Sequence, residues 1–197
     1  MSKKSLIIIG VIVLAIFLIY SNIKGTFNGM NRADQSVKAQ WAKVESQYQR
    51  RSDLIPNLVS VVKGYAEHEK STLEAVINAR AKATSTNIDA SKLDASSIQK
   101  FQEAQGELSS AISRLLVSVE RYPDLKANQN FSELQAQLEG TENRIAVERN
   151  RFNDEVKGYN VLVTEFPGRI YAGIFGFTEK GYFQADAGSE KAPKVEF

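Results

Sequence analysis

Nineteen residues without a charge separate Lys4 from Lys24, reading SLIIIGVIVLAIFLIYSNI, and from Leu6 to Tyr20 only Gly10 and the tyrosine hydroxyl interrupt the apolar run. A helix of that length reaches about 28 Å, close to the ~30 Å of a bilayer's hydrocarbon core. Residues 5–23 are therefore expected to be a transmembrane helix in direct contact with lipid, preceded by a short basic N-terminus, residues 1–4. A cleaved secretory signal also begins with basic residues and an apolar stretch. Its apolar region, however, usually runs about 7–15 residues and ends at a small-residue cleavage site. Here the stretch ends in Ile19-Tyr20-Ser21-Asn22-Ile23, with bulky residues before any cut. No cysteine occurs in the chain, so processing at a lipid-modified cysteine is excluded. The expectation is an uncleaved signal anchor of a single-pass protein. Lys3, Lys4 and the α-amino group crowd one flank, whereas Lys24, Arg32 and Lys38 are spread along the other. The positive-inside rule then keeps the N-terminus in the cytoplasm and puts the body outside it.

The body is electrically balanced. Residues 24–197 carry 23 basic and 23 acidic side chains, since only Lys3 and Lys4 precede the apolar stretch. Arg50-Arg51 is the one adjacent basic pair beyond it. A nucleic-acid binder is expected to show a basic excess or stripe, so nucleic acid is not an expected partner. With 43% hydrophobic residues the chain can bury a core, and its length suits one domain beyond the anchor.

After a linker at residues 24–30 loosened by Gly25 and Gly29, the apolar residues keep helical time. Val37, Trp41, Val44 and Tyr48 recur at steps of four and three, the spacing of a core-facing stripe. Ser52-Asp53-Leu54-Ile55-Pro56 interrupts it, with Asp53 suited to an N-cap and Pro56 to a first turn. A second helix is expected from there, carrying Leu54, Leu58, Val62, Tyr65, Glu69, Leu73, Val76 and Arg80. The steps also run nearly in phase through Ile55, so a single helix kinked at Pro56 would satisfy them; an interior proline costs ~3 kcal/mol, which favours the break. Residues 83–97, rich in Ser, Thr, Ala and Asp, read as a loop, with Asp94 or Ser96 as the next cap. Phe101, Gln105, Leu108, Ile112, Leu115, Val119 and Tyr122 form a third stripe that Pro123 ends. Asn130 or Ser132 can cap a fourth helix bearing Leu134, Leu138, Thr141, Ile145, Phe152, Val156, Tyr159, Val163 and Phe166, which Pro167-Gly168 stops.

Four striped helices bury their stripes only against one another. The expected fold is all-α: a single N-terminal transmembrane helix, an antiparallel up-down four-helix bundle over residues 31–167, and an aromatic, Gly-rich C-terminal tail over 168–197.

Two segments carry a family resemblance. Arg50-Arg51-Ser52-Asp53-Leu54-Ile55-Pro56-Asn57-Leu58-Val59 with Val62-Lys63-Gly64-Tyr65-Ala66-Glu67-His68-Glu69 is one, and Glu120-Arg121-Tyr122-Pro123-Asp124-Leu125-Lys126-Ala127-Asn128 with Asn130-Phe131 is the other. Together with Glu139, Thr141-Glu142-Asn143, Arg149, Asn153, Tyr159-Asn160 and Phe166-Pro167, they resemble the bacterial LemA family along essentially the whole chain. Phe152 departs from it, standing where relatives often have tyrosine. The resemblance implies an N-terminally anchored protein of the bacterial cytoplasmic (inner) membrane, its body then periplasmic, with a bromodomain-like bundle and no assigned enzymatic activity. It carries over no catalytic residue.

The residues themselves offer little chemistry. Glu67-His68-Glu69 invites a metal, yet neighbours on a helix point about 100° apart and His68 is the single histidine, so no metal or other cofactor is expected. One histidine, no cysteine and no Gly-rich phosphate loop leave no catalytic constellation. An enzyme is the disfavoured class, and a hydrolase would need an activity lost with a single Glu or His68 substitution.

The tail is the part a bundle explains least. Tyr171, Phe175, Phe177, Tyr182, Phe183 and the terminal Phe197 concentrate aromatic surface there, and such density usually marks a contact. The tail either folds back on its own bundle or docks elsewhere, and a neighbouring copy suits it better than the bilayer because it lacks a Lys-rich polar face. Tyr171, Phe175, Phe177, Tyr182, Phe183 and Phe197, with Arg50 and Arg51, are the candidate interaction residues. The function expected is a non-enzymatic interaction or scaffold module that self-assembles at the membrane as a homo-oligomer. The alternative is a tethered adaptor for a peptide, an envelope component or a partner protease in the same membrane, using the faces around Arg50-Arg51 and Glu67-Glu69.

Overall fold

The structure, a computed structural model, describes residues 3–185. Phe197 lies outside them. All regular structure among the described residues is helical: α1 Lys3–Tyr65, α2 Lys70–Ser85, α3 Ala95–Val119, α4 Pro123–Lys126, α5 Gln129–Thr164 and α6 Gly168–Phe175.

The first helix departs most from expectation. It runs unbroken for 63 residues, through the apolar stretch, the supposed linker and Pro56, a length of about 94 Å. Asp53 is thus no cap; it accepts a hydrogen bond from Gln49 inside the helix, at 2.7 Å. Proline has no N–H for the carbonyl four residues back, which here belongs to Ser52. The structure fills that vacancy from another helix: Arg80 Nε of α2 donates to the Ser52 carbonyl at 2.9 Å. The chain breaks instead at Ala66, where φ −131° and ψ 63° lead into a 3-10 turn over Glu67–Glu69. Residues 24–30 are not a loose linker, because Gly25 and Gly29 lie within α1. Met30 is fully buried, and the Phe27 ring packs edge-on against Phe175 and Phe177 at 5.0 and 5.7 Å.

The other boundaries follow local chemistry. Asp94 caps α3, accepting from the Ser97 amide at 2.8 Å, and its carboxyl is held low chiefly by that bond. Asn128, rather than Asn130 or Ser132, caps α5 through the Phe131 amide at 3.1 Å. Pro123 opens α4, where its missing N–H costs nothing. Phe166 and Pro167 join through a cis peptide bond, and α6 ends on Gly176, whose φ of 77° is open to glycine without strain.

Helices α1 and α5 run antiparallel, since Gln40 reaches Glu148 while Arg51, further along α1, reaches Glu142, earlier on α5. Helices α2 and α3 form a second antiparallel pair, tied by Gln105 to Ala83 at one end and by Arg121 to Glu69 at the other. The stripes bury in two clusters, except that Tyr65 at the end of α1 and Phe166, which lies beyond the end of α5, are exposed. One cluster is aromatic and nearer the N-terminal apolar stretch, built on Trp41, Tyr48, Phe101, Phe152, Tyr159 and Phe183. The other is aliphatic and distal, built on Ile55, Leu58, Val62, Val76, Leu108, Leu115 and Leu138.

Candidate functional site: a polar layer and its cleft

A charged layer divides the two clusters. Along α1 it falls between Tyr48 and Ile55, along α3 between Phe101 and Leu108, and along α5 between Ile145 and Leu138, and it contributes Arg51, Gln105 and Thr141, all buried. Arg51 has only 1% of its surface exposed. Burying a guanidinium is costly unless every proton finds an acceptor. Its Nη1 donates to Ser109 Oγ at 2.7 Å and to Glu142 Oε1 at 2.6 Å, and its Nη2 to Gln105 Oε1 at 2.7 Å and the Gln105 carbonyl at 3.2 Å. The Tyr48 ring lies beneath its carbon at 5.1 Å. Gln105 is held in turn by donating to the Ala83 carbonyl at 3.2 Å. Arg51 Nε is buried and lacks a partner.

Above this layer opens a cleft of about 820 Å³ between α1, α3, α5 and the segment after α6. Its walls include Gln99, Gln102, Ser109, Glu142, Arg149 and Tyr182, with Arg51 at the floor. Amides, hydroxyls and a half-exposed carboxylate suit hydrogen bonding to a polar, extended ligand. Arg51's terminal nitrogens are already engaged within the protein, so the floor organises the walls and does not offer a bare positive charge.

The segment following α6 forms one side of this cleft, and amide side chains hold it as a strand partner would. Asn160 accepts from the Lys180 amide and donates to its carbonyl, both at 2.9 Å. Two helical turns earlier, Asn153 does the same for Phe183, at 2.9 and 3.0 Å. Gln102 of α3 repeats the pair on Gln184 at 3.0 Å each. Between the clamps, Gly181 passes so close to α3 that an added Cβ would meet Ala95 Cα at 2.6 Å. Its amide donates to the Leu93 carbonyl at 2.8 Å.

An ion network ties this segment to α1. Lys180 and Lys38 each meet a different oxygen of Asp34, at 2.7 Å. Burial pushes the Asp34 carboxyl up, but the hydrogen bonds and charges of the two lysines outweigh that and hold it below the usual range. Lys180 also lies 4.9 Å from the centre of the Tyr159 ring, whose hydroxyl donates to the Thr178 carbonyl at 2.9 Å. Burial, aided by the Asp34 charge, pushes the Tyr159 phenol up to about 12.

The sequence candidates are thus dispersed. Arg51 and Phe183, expected at an interaction surface, are interior: Phe183 stacks on Trp41 at 6.0 Å and is 5% exposed, because the tail folds back on its own body. Arg50 is exposed on the surface of α1. Tyr182 borders the cleft. Tyr171, Phe175 and Phe177 sit with α6 beside the end of the apolar stretch of α1, Tyr171 donating to Asn22 at 3.2 Å. Glu69 is buried and accepts from Arg121 at 2.6 Å and from the Tyr122 hydroxyl at 3.0 Å, while His68 is exposed. Burial and this carboxylate hold the Tyr122 phenol above its usual range. Sequence reasoning gave no role to Asn153 and Asn160. Two asparagines seven residues apart, beside the apolar stripe of one helix, were the available signal.

Residues 40–197 match the LemA family. The chain is similar to magnetosome proteins MamQ 1 and MamQ 2 of Paramagnetospirillum magneticum, each 24% identical over 193 residues that span 87% of this chain and 70% of theirs. It is equally similar to magnetosome protein MamQ of Magnetospirillum gryphiswaldense, 24% identical over 198 residues, 90% of this chain and 71% of that one. Among the described residues one helix, α1, is long and apolar enough to cross a membrane, and none of its most apolar stretch is buried in the fold.

Proposed function

This chain belongs to the LemA family, and from that premise we propose that it is a non-enzymatic scaffold, anchored in the membrane by residues 5–23 and assembling there with copies of itself. Its body, residues 31–167 with the folded-back tail, acts as an antiparallel bundle of the bromodomain-like kind. It stands on the periplasmic side of the bacterial inner membrane.

The observation that carries this reading is the continuity of α1. One helix extends from the apolar stretch into the core without a joint, so the cleft floor at Arg51 stands about 42 Å beyond the membrane exit at Ile23. A hinged tether lets a domain search; a helix with no break holds it at one height. Bodies held at one height in one plane meet at raised effective concentration, so weak contacts suffice for assembly. The absence of cysteine and the exposed position of the single histidine support a binding role over a catalytic one.

The cleft favours a second reading, the tethered adaptor, whose ligand would be an extended peptide or envelope polymer bound along Gln99 and Tyr182. Crosslinking in intact cells separates the two. Products containing only this chain support the scaffold, whereas a recurrent second protein refutes it in favour of the adaptor. Protease treatment of spheroplasts tests the orientation: digestion of the body without lysis supports a periplasmic location, and protection contradicts it.

A further inference from the structure

Helix α6 leaves an apolar face open at the level where α1 leaves the membrane. Both its ends meet α1 within three residues of one another, Gly168 beside Met30 and Phe175 against Phe27. Three residues of α1 rise only about 4.5 Å, less than half the length of α6, so α6 lies across α1 and not along it. One side of α6 is accounted for, with Gly168 and Ala172 buried and Ala172 part of the aromatic cluster. Tyr171 marks the direction of the membrane, because its hydroxyl donates to Asn22, one residue before the apolar stretch ends. Ile170 and Ile174, four residues apart, share a face that Tyr171 borders. They are 54% and 69% exposed, and Phe166 in the turn before them is 84% exposed. Arg169 lies roughly 100° around the helix from Ile170, away from Tyr171.

We infer that α6 and the Phe166-Pro167 turn seat in the lipid interface, with Phe166, Ile170 and Ile174 entering the boundary between headgroups and acyl chains. This goes beyond the scaffold reading and rests on residues 5–23 being the membrane helix. The face adjoins the upper end of that helix, since Tyr171 beside it donates to Asn22. An interfacial helix on its own needs a cationic polar face to hold it at the surface. Here the anchor supplies that attachment, and α6 needs only apolar groups and a tyrosine, a residue enriched at membrane interfaces. The apolar stretch of α1 immediately below is uncovered by the fold, so the lipid around it reaches the face without any second body. Seated in this way, α6 is a second point of contact that fixes the tilt of the body against the bilayer.

The chain has no native cysteine, so single labels can be placed without background. The test uses the full chain in nanodiscs of phosphatidylethanolamine and phosphatidylglycerol, one copy per disc. Ile170→Cys, Ile174→Cys, Ile12→Cys and Val147→Cys each carry a nitroxide, and all four positions are exposed in the fold. Collision with oxygen is compared with collision with a water-soluble nickel complex. Labels at 170 and 174 are expected to show an oxygen-to-nickel ratio severalfold above that at 147 and below that at 12. A ratio at 170 and 174 equal to that at 147, with 12 deep in lipid, overturns the inference while leaving the anchor intact. A water-like ratio at 12 overturns the anchor and this inference with it. Protection at 170 and 174 that appears only in discs holding two copies overturns it in favour of a contact between bodies.

Discussion

Arg80→Ala should destabilise the fold far more than loss of a partly exposed surface arginine ordinarily does, because Arg80 stands in for a backbone amide. Pro56 cannot donate to the Ser52 carbonyl, and Arg80 Nε does so at 2.9 Å, from 28 positions further along the chain. Ser52 is buried, 3% exposed, so water does not readily replace the lost donor. A hydrogen bond from a charged group to a buried acceptor is worth about 1.5–3 kcal/mol. For a chain of this size that corresponds to a fall in melting temperature of about 3–12 °C. The assay is thermal unfolding of the full chain in detergent, followed by circular dichroism, as a double-mutant cycle with Pro56→Ala. Pro56 is exposed, and alanine there restores an N–H to the Ser52 carbonyl. In that background Arg80→Ala should cost no more than about 1 kcal/mol, a coupling of at least about 0.5 kcal/mol between the two positions. Equal cost in both backgrounds would refute the idea that Arg80 completes α1.

Three further substitutions test the tail's attachment to the body, at α1, α5 and α3 in turn. Asp34→Asn leaves the buried Lys180 short of its anion and should cost about 1–3 kcal/mol at neutral pH. Because the folded carboxyl titrates below its ordinary value, this contribution is present above pH ~4 and is lost as pH falls through the lowered value, so wild type and variant should converge in acid unfolding curves. Tyr159 has the opposite sign: its phenol is raised from 10 to about 12, so its contribution is full below pH 10 and is lost between the two values. Unfolding of Tyr159→Phe should accordingly be flatter than wild type across that alkaline range. Gly181→Ala forces a methyl onto Ala95 Cα, 2.6 Å away, and should lower stability by about 1–3 kcal/mol, measured by the same melting experiment.

Periodicity made the helices legible. The stripes from Val37 to Tyr48, Phe101 to Val119 and Leu134 to Val163 bury as spaced, since a helix stripe depends only on local geometry. What periodicity could not reveal was set by partners distant in sequence. Pro56 reads as a break until Arg80 is seen on its carbonyl, and residues 24–30 read as a linker until α6 is seen covering Phe27 and Met30. Periodicity left open whether the tail folds back or docks elsewhere because its clamps, Asn153, Asn160 and Gln102, pair with backbone, and the seven-residue spacing of the two asparagines is their one trace in the sequence. Within the cleft the conspicuous pair Arg50-Arg51 was visible, but not that only the second turns inward. Arg51 falls on the α1 stripe, three residues after Tyr48 and four before Ile55, but a break expected at Ser52 to Pro56 ended that stripe at Tyr48.

The central claim is that α1 is one helix from the bilayer to the core. A double label at Ile16→Cys and Ser46→Cys, both exposed and 30 positions apart, measures it directly by electron spin distance in nanodiscs. A continuous helix predicts one narrow distribution centred about 45 Å. A broad distribution, or one centred well short of that distance, would mean a joint at Gly25 to Gly29 and would contradict the account.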